Sequence, residues 1–156
     1  MVGMVVRGFV LLMSSSMEKI IIYTDGGARG NPGPAGIGVV IADEKGKTLK
    51  EISEYVGEAT NNFAEYEALV RALEETSKLF GEKLKNMVIE VRMDSELIVR
   101  QMQGAYKVKE PALKEQFARV GQLIGALQNI FFVHIVREKN IRADELVNEA
   151  IDKGGK

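Results

Sequence analysis

The chain has 156 residues, 46% of them hydrophobic, which is enough for one compact α/β core and too few for two ordinary domains. Its 21 Lys and Arg residues balance 22 Asp and Glu residues, and the resulting net charge of -1 excludes a polybasic tail and a strongly acidic disordered chain. The sequence contains no Cys and one His, which excludes disulfides, thiol nucleophiles and His-rich metal sites, so a bound metal would need oxygen ligands of the kind that suit Mg²⁺.

The first 16 residues differ in composition from the rest of the chain. Arg7 precedes a short apolar stretch, Phe9–Met13, and three serines follow. The pattern resembles a weak signal peptide, but it has little positive charge and no A-x-A-like cleavage site. Because Met residues recur at positions 1, 4, 13 and 17, a simpler interpretation is that Met17 is the natural start. We therefore expect residues 1–16 to be a disordered N-terminal extension or an upstream-start artefact, and residues 17–156 to form a single domain.

Strand and helix patterns alternate from Glu18 onward. The continuous apolar run Lys19–Thr24 is typical of a central strand covered on both faces. We expect a loop rich in Gly and Pro from Gly26 to Gly36. The next two apolar runs, Ile37–Ala42 and Leu49–Val56, then predict a β-hairpin, because residues 43–47 have turn chemistry.

The second half of the chain is dominated by helical periodicity. A long helix is predicted from the capping residues 60–62 to Phe80, before Gly81. The further predicted elements are a strand over Met87–Met93, a short helix over Glu96–Gln103, a helix that begins near Pro111, a strand over Ile130–Val136 and a terminal helix over Ala143–Ile151. The order β-β-β-α-β-α-α-β-α predicts an α/β fold, in which helices pack on the faces of a mixed five-stranded sheet.

Four carboxylates are predicted to meet at one edge of this sheet. The first strand is expected to end at Asp25 and the fourth at Asp94; a right-handed crossover makes these strands parallel neighbours and places both acids at the carboxyl edge, where α/β folds bind ligands. Glu65 lies one helical turn before Leu69, on the border of an apolar helix face, and Asp144 lies at the start of the last helix. Taken singly, each acid is explained as well by turn formation or helix capping. Together they would repel unless protonated or neutralised, for example by two Mg²⁺ ions.

Five motifs in chain order carry a family resemblance: Tyr23–Gly27, Gly30–Gly36, Thr60–Glu65, Met93–Ser95 and Asn140–Asn148. Through these motifs, residues 18–152 resemble type 1 ribonuclease H. The resemblance implies the ribonuclease H fold and endonucleolytic hydrolysis of the RNA strand of RNA–DNA hybrids by a two-metal-ion mechanism, leaving 5′-phosphate and 3′-hydroxyl ends. It makes Asp25, Glu65, Asp94 and Asp144 the catalytic and metal-binding acids for two Mg²⁺ ions, with Mn²⁺ as an alternative.

The glycine-rich motif is assigned to the substrate by the same resemblance. The small residues Gly26 and Gly27, followed by Arg29, let the backbone approach a nucleic-acid groove. Asn31 can donate to and accept from the minor groove of an A-like duplex. A tight structural turn is compatible with this role.

The residues before the long helix have two compatible interpretations. As helix-capping residues, Thr60, Asn61 and Asn62 satisfy backbone groups. Under the resemblance, Thr60 binds a DNA-strand phosphate, while Asn61 and Asn62 contact 2′-hydroxyls and base edges, which distinguishes RNA from DNA. Ser95 is assigned to the substrate as well.

Two features depart from the family pattern. Many members have a His in the loop before the last catalytic Asp, but the only His here, His134, is predicted inside a strand. Arg137, at the end of that strand, is the better candidate for a catalytic role, because a shortened loop would bring it to the metal edge of the sheet. A guanidinium cannot act as a general base, but it can pair with a phosphate. The basic protrusion between two helices is also missing. Only Lys107 and Lys109 remain there, either as hybrid contacts of modest, salt-sensitive affinity or as solvated surface residues.

Two other functions stay open at this point: a hybrid-binding module that does not cleave, and a nuclease that acts on another substrate such as double-stranded RNA. The expected partner is an RNA–DNA hybrid duplex. The apolar runs are too short to span a bilayer. We expect a cytoplasmic monomer with no obligatory protein partner.

Overall fold

A mixed five-stranded sheet in the order β3-β2-β1-β4-β5 forms the centre of the computed structural model, which describes residues 17–125 and 127–154. The strands are β1 (Lys19–Ala28), β2 (Gly33–Asp43), β3 (Thr48–Ala59), β4 (Val88–Met93) and β5 (Ile130–His134). The first three strands form an antiparallel meander, whereas β4 is parallel to both β1 and β5. The predicted mixed α/β sheet is confirmed. The prediction for residues 1–16 lies outside the described residues.

Within the part of the chain that the structure describes, four α-helices follow the predicted order. They are α1 (Asn61–Phe80), α2 (Glu96–Met102), α3 (Pro111–Ile124) and α4 (Ile141–Gly154), with short 3₁₀ helices over Gly81–Asn86 and Arg137–Lys139. The hydroxyl of Thr60 accepts a hydrogen bond from the backbone N–H of Phe63 at 3.1 Å and caps α1, and Ser95 caps α2 in the same way. The terminal helix is longer at both ends than its apolar pattern indicated.

The core lies between the sheet and α1. Alternate residues of the central strands, Ile20 and Ile22 in β1 and Ile89 and Val91 in β4, are almost fully buried, and they pack with apolar residues of α1 such as Leu69. Helix α4 covers the opposite face over β2 and β3. Because the chain passes through α1 between β1 and β4, the two strands lie side by side and parallel, as the crossover argument requires.

The segment Gly26–Gly36 is not a loop, so that prediction is wrong. β1 continues to Ala28 and β2 already begins at Gly33, which leaves a connection of only four residues, Arg29–Pro32. Two glycines of this region, Gly26 and Gly36, admit the backbone of a neighbouring helix: a Cβ atom at Gly26 would lie 2.3 Å from the carbonyl oxygen of Ala64 in α1. At these two positions the low side-chain volume serves packing, whereas Gly30, with a φ of 93°, serves the turn between β1 and β2.

β5 is shorter than predicted. It ends at His134 instead of Val136, because the chain turns into the 3₁₀ helix that contains Arg137. The N–H of Ile135 still donates to the carbonyl of Met93 at 2.9 Å, which ties this turn to the end of β4. Among the residues that the structure describes, no helix combines the length and the apolar character needed to cross a membrane.

Candidate active site

Asp25 and Asp94 lie side by side, just beyond the point where β1 and β4 stop pairing. The parallel register between the two strands ends at Thr24 and Met93, and the two acids follow directly. The prediction that β1 ends at Asp25 is wrong, since β1 continues while paired with β2 alone. The expected edge of the sheet nevertheless exists, because it is defined by the end of the parallel pairing rather than by the end of β1.

Glu65 completes a cluster of three acids. It lies in the second turn of α1, above Gly26, where the missing Cβ lets the helix approach the strand. Carboxylate oxygens of Asp25, Glu65 and Asp94 all lie within 4.8 Å of one another. The first two acids are buried, with 8% and 9% of their surface exposed.

The cluster perturbs the acidity of its members strongly. Burial, followed by repulsion from Asp94 and Asp144, raises the pKa of Asp25 to about 8. Burial and the charges of Asp25 and Asp94 raise the pKa of Glu65 well above its usual value. The N–H of Gly26, which donates to Asp25 Oδ1 at 3.0 Å, opposes both shifts only in part. At neutral pH these two carboxyls therefore keep their protons unless a cation takes the place of the protons.

A divalent cation fits this cluster on chemical grounds. Three carboxylates supply the hard oxygen ligands that Mg²⁺ and Mn²⁺ bind. One of these oxygens, Glu65 Oε1, is buried and has no hydrogen-bond partner within the described residues, an arrangement that is costly unless another group binds it. The site thus has both the charge and the open ligand atom that a cation would use.

Asp144 and Arg137 face the same cleft without belonging to the three-acid cluster. The cleft has a volume of about 350 Å³, and its lining includes Asp25, Glu65, Arg137 and Asp144. Asp144 lies in the first turn of α4 and Arg137 in the preceding 3₁₀ helix. His134 is exposed at the end of β5 and is not among the residues that line the cleft. The structure therefore brings Arg137, rather than His134, to the acids.

The glycine-rich connection forms one rim of the cleft and is fastened to the start of α1. Asn31 Oδ1 accepts a hydrogen bond from the N–H of Asn61 at 2.9 Å, and Asn61 Oδ1 accepts from the N–H of Ala28 at 2.8 Å. Gly27 also lines the cleft, and a Cβ there would meet only ordinary contacts at 3.9 Å. The structure thus places these predicted substrate residues together on one surface.

Arg29 has a structural partner. Its guanidinium pairs with Asp152 of α4 at 2.7 Å and also donates to the side chain of Asn148. The ion pair is about half exposed at the mouth of the cleft. To bind a phosphate, the guanidinium of Arg29 would have to share its bonds between the phosphate and Asp152 or give up Asp152.

Thr60 and Ser95 both use their hydroxyl oxygens as helix caps, while Asn62 lies half-buried in the first turn of α1. Each hydroxyl still has a proton to donate, so capping and substrate binding are compatible, as the sequence suggested.

Lys107 and Lys109 lie apart from the acids. Both side chains are exposed and line a separate groove of about 550 Å³, which Leu97 of α2 and Leu113 of α3 also line. The structure therefore does not bring these lysines to the carboxylate cleft.

The sequence patterns assign no individual role to one polar residue of the site. Asn140 is 1% exposed, and its Nδ2 donates to the carbonyl of Thr24 at 2.9 Å and to Asp94 Oδ2 at 3.3 Å. The available signal was its place at the head of the motif that ends in Asp144 and Asn148, but only the fold shows which groups it contacts.

Comparisons with known proteins agree with this geometry. A family model described as "Reverse transcriptase-like" matches residues 23–150. The structure of LC11-RNase H1, isolated from compost by a metagenomic approach, is 71% identical, with a TM-score of 0.85 over 90% of this chain and 100% of that one. The same relative in complex with an RNA/DNA hybrid superposes with a TM-score of 0.84 at 70% identity, over 88% of this chain and 99% of that one.

Curated relatives give the same family over part of their length. Ribonuclease HI of Halobacterium salinarum is 38% identical over 134 residues, which cover 86% of this chain and 65% of the relative. The bifunctional protein Rv2228c of Mycobacterium tuberculosis is 39% identical over 135 residues, which cover 86% of this chain and 36% of the relative. The chain thus spans about a third of the length of the mycobacterial relatives that it matches.

Proposed function

The chain belongs to the type 1 ribonuclease H family, and on that premise we propose that it is a metal-dependent endoribonuclease that hydrolyses the RNA strand of RNA–DNA hybrids. The products would be 5′-phosphate and 3′-hydroxyl ends. The observation that carries the proposal is the convergence of Asp25, Glu65 and Asp94 beside an open cleft.

Asp25, Glu65 and Asp94 would hold the metal, with Asp144 as the fourth ligand, contributed from α4. When bound, two divalent ions would activate a water molecule for in-line attack on the phosphorus and would stabilise the departing 3′-oxygen. The raised pKa values of Asp25 and Glu65 support this role, because each carboxylate becomes more stable in its charged form when a cation is near. We propose Mg²⁺ as the physiological ion and Mn²⁺ as a functional substitute.

Arg137 contributes positive charge on the substrate side of the cleft. Its guanidinium lies near enough to lower the pKa of both Asp25 and Glu65, and it is exposed. A guanidinium in this position can donate to two oxygens of a phosphate and hold it against the acids. It orients the substrate and neutralises charge, and it takes no part in proton abstraction.

The rim formed by Gly26, Gly27, Asn31, Asn61 and Asn62 is proposed to contact the minor groove of the hybrid. The linked amides of Asn31 and Asn61 hold this rim in one conformation, so that little ordering is required on binding. Contacts to 2′-hydroxyls would select the RNA strand without selecting a base sequence. The hybrid complex of the 70% identical LC11-RNase H1 supports this choice of substrate.

The DNA strand and its phosphates are assigned to the remaining residues. Thr60 and Ser95 each have a hydroxyl proton available after capping. Arg29 can exchange its partner Asp152 for a phosphate, and Lys107 and Lys109 add charge from the separate groove. Few basic contacts predict modest affinity that weakens with added salt.

The proposal also covers the setting of the enzyme. Residues 17–156 are proposed to act as one catalytic domain, as a monomer of the cytoplasm. A cysteine-free composition is compatible with a reducing compartment. Light scattering of the purified protein checks the monomer directly against the chain mass of 17.2 kDa.

A substrate panel tests the proposed function. Labelled RNA–DNA hybrid, double-stranded RNA, double-stranded DNA and single-stranded RNA are incubated separately with the protein and Mg²⁺, and the product ends are mapped. We expect cleavage of the hybrid alone, within its RNA strand. Binding of the hybrid without turnover would favour a binding module, and preferential cleavage of double-stranded RNA would favour the other nuclease activity.

A further inference from the structure

Asn140 connects three elements of the site through one buried side chain. Its Nδ2 donates to the carbonyl of Thr24, directly before Asp25, and to the carboxylate of Asp94. Its own backbone carbonyl accepts from the N–H of Asp144 at 3.2 Å and so begins the turn of α4 that carries that acid. A single residue therefore contacts the strand ends and the helix from which three of the four acids project.

The chemistry of these partners requires a double donor at this position, and a short amide side chain meets that need without adding charge. The carbonyl of Thr24 and the carboxylate of Asp94 are both acceptors, so the group between them must donate twice, and the NH₂ of an Asn provides two protons. The reverse orientation would place Asn140 Oδ1 against both acceptors and is therefore excluded electrostatically. An ionised Asp would offer no proton at all, and a Ser would offer one.

The bond to Asp94 acts against a specific repulsion. The carboxylate of Asp94 lies with two others inside a 4.8 Å cluster, and like charges at this distance drive a free side chain to turn away. A donor that is itself fixed to the backbone at Thr24 holds Asp94 in place before any cation binds. Since Asn140 is 1% exposed, water cannot readily replace it.

We propose that Asn140 is a positioning residue for the metal site, which holds the Asp94 carboxylate in the orientation that binds the cation. This inference rests on the proposed function, because it concerns the same site. Asn140 is buried and is not among the residues that line the cleft, so its effect passes through Asp94. Partners that orient metal ligands typically change metal affinity or activity by about 10- to 100-fold when they are removed.

Asn140→Ala tests the proposal through metal binding as well as turnover. The dissociation constant for Mg²⁺ alone, measured on the metal-free protein by NMR titration, is expected to rise about tenfold or more. The kcat for the hybrid should fall by a similar factor, while KM changes by less than about twofold, since the substrate-binding rim is intact. Should the Ala variant fail to fold, Asn140→Ser, which keeps one donor, is measured in its place.

The chain offers a matched control in Gln116→Ala. Gln116 is 7% exposed, and its Nε2 donates to a backbone carbonyl, that of Phe63, at 3.2 Å and to a carboxylate, that of Glu67, at 3.1 Å. Like Asn140, it has an amide oxygen that is buried without a partner among the described residues. It connects α3 to α1 outside the acid cluster. We expect this variant to lose stability while its Mg²⁺ affinity and kcat stay unchanged.

A double-mutant cycle with Asp94→Ala separates positioning from a general structural effect. Once Asp94 is absent, adding Asn140→Ala should change the Mg²⁺ dissociation constant by less than about twofold. An equal loss in both backgrounds, or wild-type Mg²⁺ affinity and kcat in Asn140→Ala, would overturn the inference. Failure of the unmodified protein to cleave the hybrid would instead contradict the proposed function, because the Mg²⁺ titrations do not depend on cleavage.

Discussion

Gly26 of β1 lies directly against the backbone of Ala64 in α1: a Cβ atom at Gly26 would lie 2.3 Å from both the carbonyl carbon and the carbonyl oxygen of Ala64. Asp25 directly precedes Gly26, and Glu65 directly follows Ala64. Both acids belong to the three-acid cluster. This backbone contact therefore sets the distance between two acids that are 40 residues apart in the sequence.

Gly26→Ala is expected to lower both stability and activity. The added methyl group forces α1 away from β1, at a cost of about 1–3 kcal/mol in the free energy of unfolding, and moves Glu65 away from Asp25. Urea unfolding and hybrid cleavage measure the two effects. Gly27→Ala is the control for stability, because its Cβ would meet only contacts at 3.9 Å. Equal destabilisation by both substitutions would contradict the packing role.

In the cation-free protein, ionisation of Asp25 should lower the free energy of unfolding as the pH rises. Its pKa is about 8 in the folded protein and 3.8 as the reference value, so the folded state binds more protons between these limits. Its contribution to stability is therefore present at low pH and is lost as the pH rises towards about 8. Relative to the unmodified protein, Asp25→Asn should become progressively more stable over this range, as urea unfolding in EDTA would show.

The control for this pH dependence is Glu44→Gln, which neutralises an exposed acid in the turn between β2 and β3. Its stability relative to the unmodified protein should not follow that pH profile. Added Mg²⁺ should reduce the advantage of Asp25→Asn at high pH, because a bound cation stabilises the ionised site. A stability difference for Asp25→Asn that is constant with pH would contradict the raised pKa.

Arg137→Ala should lower hybrid cleavage about tenfold, the effect of losing one hydrogen bond to a charged group. The guanidinium lines the cleft beside Asp25 and Glu65, whereas His134 is not among the lining residues. His134→Ala should therefore leave the cleavage rate close to that of the unmodified protein. Steady-state kinetics of the two variants make the comparison, and the opposite ranking would assign the catalytic role to His134.

Lys107→Ala and Lys109→Ala should weaken hybrid binding without altering kcat. Each phosphate contact that is lost lowers the slope of log affinity against log salt by about 1. Fluorescence anisotropy in Ca²⁺ at several salt concentrations measures this slope. The matched control is Lys45→Ala, because Lys45 lies in the turn between β2 and β3. Unchanged slopes in the first two variants would show that these lysines are solvated surface residues.

The topology and the meeting of the acids could be predicted from the sequence because both follow from local patterns. A buried apolar strand, a helix and a second buried strand predict a crossover between parallel neighbours, and the observed parallel pairing of β1 with β4 places Asp25 beside Asp94. The helical spacing placed Glu65 on the same side. The sequence alone thus predicts the edge of the sheet and three of its acids.

The glycines were misinterpreted because composition does not reveal what packs against a residue. Gly36, at the end of the predicted loop, lies within β2, where a Cβ would lie 2.9 Å from the carbonyl oxygen of Val147 in α4. A glycine that admits a helix and a glycine that forms a turn look alike in a single sequence.

Partnerships between distant side chains were equally inaccessible. Arg29 pairs with Asp152, 123 residues away, and Asn140 contacts Thr24, 116 residues away. No periodicity links such positions, so the sequence alone predicts only a substrate contact for Arg29 and no role for Asn140. Only the packing of α4 against the sheet brings these partners together.

The central claim is that the clustered carboxylates bind the cations that cleave RNA, and Glu65→Gln tests it most directly. This substitution keeps the shape of the side chain and removes its charge, while Glu75→Gln makes the same change elsewhere in α1. In Mg²⁺ with a hybrid labelled in its RNA strand, we expect cleavage by the unmodified protein and by Glu75→Gln, and none by folded Glu65→Gln. Undiminished cleavage by Glu65→Gln would contradict the account.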